Sequence, residues 1–308
     1  VSKKAKAIIL SSVALVSALG IATGVFFCVY PMTPKVEIKS ADERINSNEK
    51  LLVASFNTAA PWGNLLEGTY TTRRSHLFAQ QINNIMPDIL GVQEMNSFWV
   101  ERMKNLLPQY DYYGVKRGGD KNEQESEMSG IFYLKDKFEM LENGTFWISL
   151  TPDVESKYEG AACHRVCSYV VLKNKTTGYT FLHMNTHLDH ISEDAQNYGG
   201  KLIAEKADAL KEKYGEIPTI ITGDFNQFSD GASCKALESK GFLNANKTVE
   251  NGDSLTTYIS WDANEKNRPI DFVFVNDKFT VNNYSVINET GTKTLISDHY
   301  MITAELGI

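Results

Sequence analysis

Four cysteines in 308 residues (Cys28, Cys163, Cys167 and Cys234) are too few for a disulfide framework. Cys163 and Cys167 sit four apart on what reads as a strand. They would point the same way yet lie roughly 13 Å apart, too far to bridge each other. No CxxC pair is present, which argues against a zinc site. Positive charge is also short: 31 Lys and Arg against 38 Asp and Glu leave a net charge of −7. That excludes a broad basic surface for gripping long duplexes, though not a local basic groove. There is no internal repeat and no low-complexity tract. About 260 residues outside the N-terminal segment suffice for one large two-layer domain or two small ones.

Charge is missing altogether from Ala7 to Tyr30, which reads AIILSSVALVSALGIATGVFFCVY. At about 1.5 Å rise per residue, such a run crosses a hydrocarbon core of roughly 30 Å. Lys3, Lys4 and Lys6 precede it, so residues 1–6 are expected to be cytoplasmic, with 7–30 a transmembrane signal anchor. The catalytic domain would then lie on the non-cytoplasmic side. The alternative is a cleaved signal peptide, with Ala18-Leu19-Gly20 as the small-residue site and a secreted product. The apolar run continues past that point, which favours the anchor. Residues 31–48, mixed in charge and without periodicity, read as a tether, and 49–308 as the catalytic domain. No protein partner is evident.

Beyond the tether, strands and helices alternate. Residues 73–85, 97–107 and 194–214 have helical spacing of apolar residues. Between 129 and 185 several strands follow one another, with turn signals at Asn143-Gly144 and Thr177-Gly178. Strands in the middle with helices on both sides fit a sheet-on-sheet core covered by helices.

Several apolar runs lead into polar residues able to handle a metal or a phosphate. LLVASF runs into Asn57, DILGVQ into Glu94, and YTFLHMNT into His187. PTIITG runs into Asp224 and Asn226, TLIS into Asp298–His299, and RPIDFVFV carries Asp271 at the start of its strand. Side chains at strand ends are held by the sheet and the core beneath. Asn, Glu, Asp and His without a cysteine cage suit a hard, oxygen-seeking cation such as Mg²⁺. Phosphoester hydrolysis needs a polarised phosphoryl oxygen, a positioned water and charge relief on the leaving oxygen. Glu94 is the best metal ligand, with Asn57 and Asp298 completing the site. Asp224 can orient or deprotonate water, and Asn226 can donate to the phosphate. His299 suits a base or phosphate-binding role if Asp271 fixes its tautomer, and His187 is a second acid or phosphate donor.

In the order ASFN, PDILGVQE, NTHLDH, GDFN, RPIDFVFV and SDHYMITAEL, these motifs resemble those of the endonuclease/exonuclease/phosphatase superfamily, from about Leu51 to Leu306. The resemblance implies an α/β fold, a four-layer α/β/β/α sandwich of two packed mixed sheets flanked by helices. It implies Mg²⁺ or Mn²⁺ held by Glu94, Asn57 and Asp298, work on water and phosphate by Asp224 and Asn226, and an Asp271–His299 pair. His187 matches a second family histidine, and Glu127 sits where its acidic partner belongs. Text such as GTFWIS, TPD, GAAC and NTHLDH is similar to a subgroup of secreted or membrane-associated members. There Arg165 looks like a phosphate-side arginine, and Gln196 stands where arginine is common. The expected activity is a membrane-tethered, metal-dependent phosphodiesterase, first a nuclease on nucleic acid. Arg165, Arg268, Lys116 and Arg117 would supply a basic groove, with Tyr112 and Tyr113 to stack on bases. The alternatives are a phosphodiesterase for a phospholipid, sphingomyelinase-like, or for a small phosphate ester. A catalytically inactive binding protein on the same fold is the reading of a different class.

Overall fold

The structure, a computed structural model, describes residues 35–60, 71–120, 126–288 and 295–308. The expected cytoplasmic stub and the apolar segment 7–30 lie outside the described residues. Among those described, no helix is long and apolar enough to cross a membrane. The first half of the chain runs α1 (Asp42–Asn46), β1 (Lys50–Asn57), α2 (Thr71–Ile85), β2 (Ile89–Met95), α3 (Ser97–Leu106), β3 (Tyr110–Tyr113), β4 (Met128–Leu134) and β5 (Phe138–Trp147). The second runs β6 (Val166–Asn174), β7 (Thr180–His187), α4 (Glu193–Tyr214), β8 (Thr219–Asp224), α5 (Ala232–Ser239), β9 (Leu243–Asn244), β10 (Asp271–Val275), β11 (Thr280–Ile287) and β12 (Met301–Gly307).

Two six-stranded mixed sheets pack face to face, ordered β11-β12-β1-β2-β4-β3 and β5-β6-β7-β8-β10-β9. Each contains one parallel pair, β1 with β2 and β7 with β8, flanked by antiparallel neighbours. The period-two alternation of each strand sorts its side chains between layers. On β10, Val273 and Val275 join the core between the sheets, whereas Phe272 and Phe274 join the core under α4 and α5. On the first sheet, Phe56 stacks on Phe78 of α2, and Phe78 meets Trp99 of α3 edge-on. Helices thus cover the outer face of both sheets.

The seam between the sheets is polar just beneath one end. Gln93 Nε2 donates to Ser55 Oγ (3.1 Å) and Asn185 Oδ1 (2.7 Å), and Asn185 Nδ2 reaches across to the carbonyls of Val92 and Gly130. A Cβ on Gly91 would lie 2.3 Å from Thr222 Oγ1, so only glycine lets the sheets close here. These buried bonds fix the register of one sheet on the other.

Several local expectations change. Asn143-Gly144 lies inside β5, where a bulge between Met140 and Glu142 absorbs the irregularity, and only Thr177-Gly178 forms a turn, with Gly178 at φ 75°. Cys163 precedes β6 rather than lying on it, and both it and Cys167 are free. The described part of TLIS is a loop, so Asp298 and His299 precede β12 instead of ending a strand. Part of the segment read as a tether is docked. Ala41 is buried, Val36 and Ile45 pack on the core, and the buried Lys137 Nζ donates to the carbonyls of Arg44 and Ser47 and to Asp88.

Candidate active site

The C-terminal ends of both parallel strand pairs open into one cavity of about 470 Å³. Glu94, Glu127, Asp298, His187, Asp224, Asn226, His299 and Arg165 all line it. Asn57 and Asp271 stand directly behind them, fully buried. The expected catalytic and metal-site residues, with Arg165, are therefore brought to one place.

Glu94 reaches the cavity against the grain of its strand. Gly91 and Gln93 face the second sheet, so plain alternation would turn Glu94 toward the helices. A register shift between Val92 and Met95, with Glu94 at φ 60°, re-aims it. Left-handed backbone at a non-glycine residue costs about 1–3 kcal/mol and persists only where the surroundings enforce it. Here Asn57 Nδ2 (3.0 Å) and the amide of Ala60 (2.6 Å) hold the two carboxylate oxygens. Asn226, at φ 48°, is the matching strained position on the second sheet.

The two sheets meet chemically at Asp224. Its Oδ2 accepts from Asn57 Nδ2 (2.9 Å), its Oδ1 from the amide of Asn226 (2.9 Å). His187 Nε2 and His299 Nε2 stand 3.5 and 3.7 Å from the same Oδ2. His299 Nδ1 bonds Asp271 Oδ2 at 2.9 Å, as the sequence suggested. Burial works against a charged His299, but Asp271, Asp224 and Asp298 outweigh it and raise its pKa to about 10. It is a cation at neutral pH. Burial, followed by Arg165 and Arg117, holds His187 well below the usual histidine range, so it is neutral. Its Nε2 accepts from Asn226 Nδ2 (3.0 Å). Burial and the charge of Asp271 push the Asp224 carboxyl up to about 7, against the pull of His299. One strand-end carboxylate thus sits between a neutral and a charged imidazole, an arrangement suited to taking and returning a proton.

Three expected assignments change. Asn57 presents its amide nitrogen to Glu94 and Asp224, while its oxygen accepts from the amide of Ala59 (2.9 Å). In this arrangement it bridges the two carboxylates. Glu127 makes no hydrogen bond to His187; Arg117 Nη1 holds it at 2.6 Å. Burial, and then Glu94, raise the Glu127 carboxyl to about 7 despite Arg117 and Arg165. The proposed base-stacking pair is also spent: Tyr112 packs on Phe132, and Tyr113 bonds Thr145 through its hydroxyl. Arg268 pairs with Asp230 and covers Phe228, away from the cavity, and Lys116 does not line it. Arg117 and Arg165 remain as the basic wall. Arg165 Nη2 contacts His190 Nδ1 (3.0 Å), while its buried Nε has no hydrogen-bond partner and stands 4.0 Å from Asp189 Oδ2.

One residue was missed, and one departure from the family pattern finds its role. Arg74 of α2 is fully buried and donates to the carbonyls of Thr58, Ala59, Ala60 and Ile296, tying together the loops that carry Glu94's neighbours and Asp298. Burial lowers it to about 10, while Asp298 and Glu94 keep it charged. Only the TTRR at the head of α2 hinted at it, and arginine there is ordinary. Gln196 is no basic contact. Its Nε2 donates to the carbonyls of Asp189 (2.6 Å) and Asn226 (3.1 Å), bracing the strained turn.

Glu94 and Asp298 best fit a hard divalent cation. Burial and then the charge of Glu94 raise the Asp298 carboxyl, and a cation between them would relieve that repulsion. Two other clusters bring ligand atoms close together among the described residues. In Asp224–Asp271–His299, His299 Nδ1 is already bonded to Asp271 Oδ2 at 2.9 Å, and Asp224 accepts from Asn57 and the amide of Asn226. In Cys163–Asp189–His190, the Asp189 oxygens already accept from the amides of Ala162, Ile191 and Ser192.

The sequence profile of the Endonuclease/Exonuclease/phosphatase family matches residues 54–299, and the chain belongs to that family. A family member from Bacteroides thetaiotaomicron is 35% identical, with a TM-score of 0.75 over 83% of this chain and 94% of the other. A mannosyl-6-phosphatase from Bacteroides thetaiotaomicron VPI-5482 is 34% identical, with a TM-score of 0.77 over 84% of this chain and 100% of the other. TDP2 from D. rerio, complexed with a single-strand DNA product, is 17% identical (TM-score 0.65; 85% and 100% covered), a likeness of fold alone. No curated protein matches. The family's members are hydrolytic phosphoesterases, which supports an enzyme on this fold.

Proposed function

We propose that this chain is a divalent-metal-dependent phosphoesterase, anchored by residues 7–30 on the non-cytoplasmic side, that hydrolyses a small phosphate ester. The observation that carries the substrate reading is the cavity itself. It is compact, and among the described residues its positive charge comes from Arg117 and Arg165 on one wall and His299 on the other. Of the side chains offered for a nucleic-acid groove, Tyr112, Tyr113 and Arg268 are committed elsewhere. The similarity to a mannosyl-6-phosphatase supports the same choice. The nuclease expected first from the sequence therefore ranks second.

Mg²⁺ or Mn²⁺ at Glu94 and Asp298 would polarise a phosphoryl oxygen and offset developing charge. Arg165, whose Nε has no hydrogen-bond partner, binds phosphate oxygens. Asn226 Nδ2, bonded to His187 Nε2 and the Leu188 carbonyl, holds His187 beside them, and the His299 imidazolium adds positive charge from the loop before β12 of the first sheet. Asp224 orients a water and takes its proton. Asp271 holds His299 protonated and in place.

The test is a substrate panel on the full chain with Mg²⁺ or Mn²⁺: a sugar phosphate, p-nitrophenyl phosphate, single-stranded DNA, RNA and sphingomyelin. Turnover of the small monoesters should exceed that of every polymer. Faster cleavage of nucleic acid would restore the nuclease, and no turnover of any would leave the inactive binding protein.

A further inference from the structure

The N-terminal segment joins the domain at the end opposite the cavity. Lys137 clamps the carbonyls of Arg44 and Ser47 beside Asp88, which immediately precedes β2. The amide of Lys39 reaches Asn83 near the end of α2, and Asn48 Oδ1 accepts from Asn174 at the end of β6. All of these lie at the entry of β1 and β2, whereas Asn57 and Glu94 lie at their exit.

We infer that the anchored enzyme acts on a water-soluble phosphate ester and cannot reach the lipids of the bilayer that holds it. The inference rests on the anchor proposed above and decides between substrate classes for the same cavity. From Lys50 to Asn57, β1 climbs about 23 Å at roughly 3.3 Å per residue. Tyr30, the last residue of the apolar run, precedes Lys35, the first described residue of the docked segment, by five positions. Fully extended, that stretch spans at most about 18 Å. To press the cavity onto the bilayer, the domain would have to turn over while its docked segment stayed bound. The connection would then have to run back along the height of the domain, and about 18 Å is shorter than about 23 Å. Upright or tilted, the cavity faces away from the membrane.

The experiment uses the full chain in phosphatidylcholine vesicles that carry an acceptor-labelled lipid. A donor is placed on Glu43→Cys, exposed beside the docked end, or on Ile191→Cys, exposed next to the cavity-lining His190, each with Cys28→Ser and Cys163→Ser. Energy transfer to the membrane should be several-fold stronger from 43 than from 191. In the same vesicles p-nitrophenyl phosphate should be hydrolysed as fast as in detergent, while phosphatidic acid and sphingomyelin stay intact. A protein that fails to float with the vesicles removes the anchor, and the inference with it. A protein that floats but transfers equally from 191, or hydrolyses lipid in its own vesicle, overturns the inference and leaves the anchor standing.

Discussion

The two sheets share a plan and divide the chemistry. Each sets one parallel pair between antiparallel neighbours, and each delivers functional groups where that pair ends. The first sheet delivers Glu94 beside Asp298, a carboxylate pair suited to a cation. The second delivers His187, Asp224 and, from β10, Asp271, a proton-handling set. Each half carries one left-handed non-glycine residue at the site, Glu94 in the first and Asn226 in the second. Neither half is complete: His299, carried beside Asp298 just before β12 of the first sheet, takes its partner Asp271 from the second, and the second sheet's imidazole and carboxylates have no cation of their own to offset phosphate charge. Catalysis belongs to the seam, which is why the polar network of Gln93, Asn185 and Thr222 sits directly beneath it.

The first sheet's half should break most completely. Excess chelator should abolish hydrolysis, and restored Mg²⁺ or Mn²⁺ should recover it. Glu94→Gln keeps the shape but removes a full charge from the cation site, so kcat/KM should fall by on the order of 10²-fold or more. Full activity in chelator would refute the division of labour between the sheets.

The pair that spans the two sheets should break as a unit. Asp271→Asn leaves His299 without the charge that holds it protonated, so turnover should fall by on the order of 10²-fold, near the loss in His299→Ala. The double variant should be little worse than either single one, because the pair at 2.9 Å acts together. Independent, additive losses would separate the two residues.

Asn57 joins the halves, and its loss should be smaller. Asn57→Ala removes the amide bonded to Glu94 and Asp224 but leaves both carboxylates in place. Turnover should drop about tenfold, in keeping with the loss of one or two hydrogen bonds to charged groups. A double-mutant cycle of Asn57→Ala with Asp224→Asn should show coupling across the seam, and a zero coupling energy would make Asn57 a member of one sheet only.

Much of this was legible in the sequence, because apolar runs with period two ended on residues that chemistry could use. The Asp271–His299 pair is the clearest case: an Asp at a strand start and an Asp-His dipeptide predicted a contact across 28 positions. What stayed hidden depended on three-dimensional neighbours. Nothing in DILGVQE announces the bulge that turns Glu94 into the cavity. The partner of Glu127 proved to be Arg117, ten residues earlier, and no spacing rule favours it over His187. Tyr112 reads as a free aromatic, yet β3 lies beside β4 and its ring is taken by Phe132. Arg74 is invisible because its partners are backbone carbonyls, which carry no sequence signal.

The smallest expected effect contrasts two histidines on one face of β7. His187 ends the strand at the cavity, while His183, two pleat periods back, is fully buried and meets Thr222 Oγ1 at 2.8 Å. Burial lowers the His183 pKa to about 3, against about 6.5 when unfolded. The unfolded chain therefore binds the extra proton first, and stability rises with pH across that window. His183's contribution is complete above the unfolded value and is lost as pH falls through 6.5 toward 3. Between pH 7 and pH 5 that amounts to about 2 kcal/mol. His187 adds a shift in the same direction and His299 one in the opposite, so the total slope does not isolate His183. The difference between wild type and His183→Gln does. Urea unfolding of both, in chelator from pH 7 to pH 5, should show the wild type losing about 2 kcal/mol more than the variant. Parallel curves would mean that His183 is protonated in the folded protein, and that the seam between the sheets admits a charge this reading excludes.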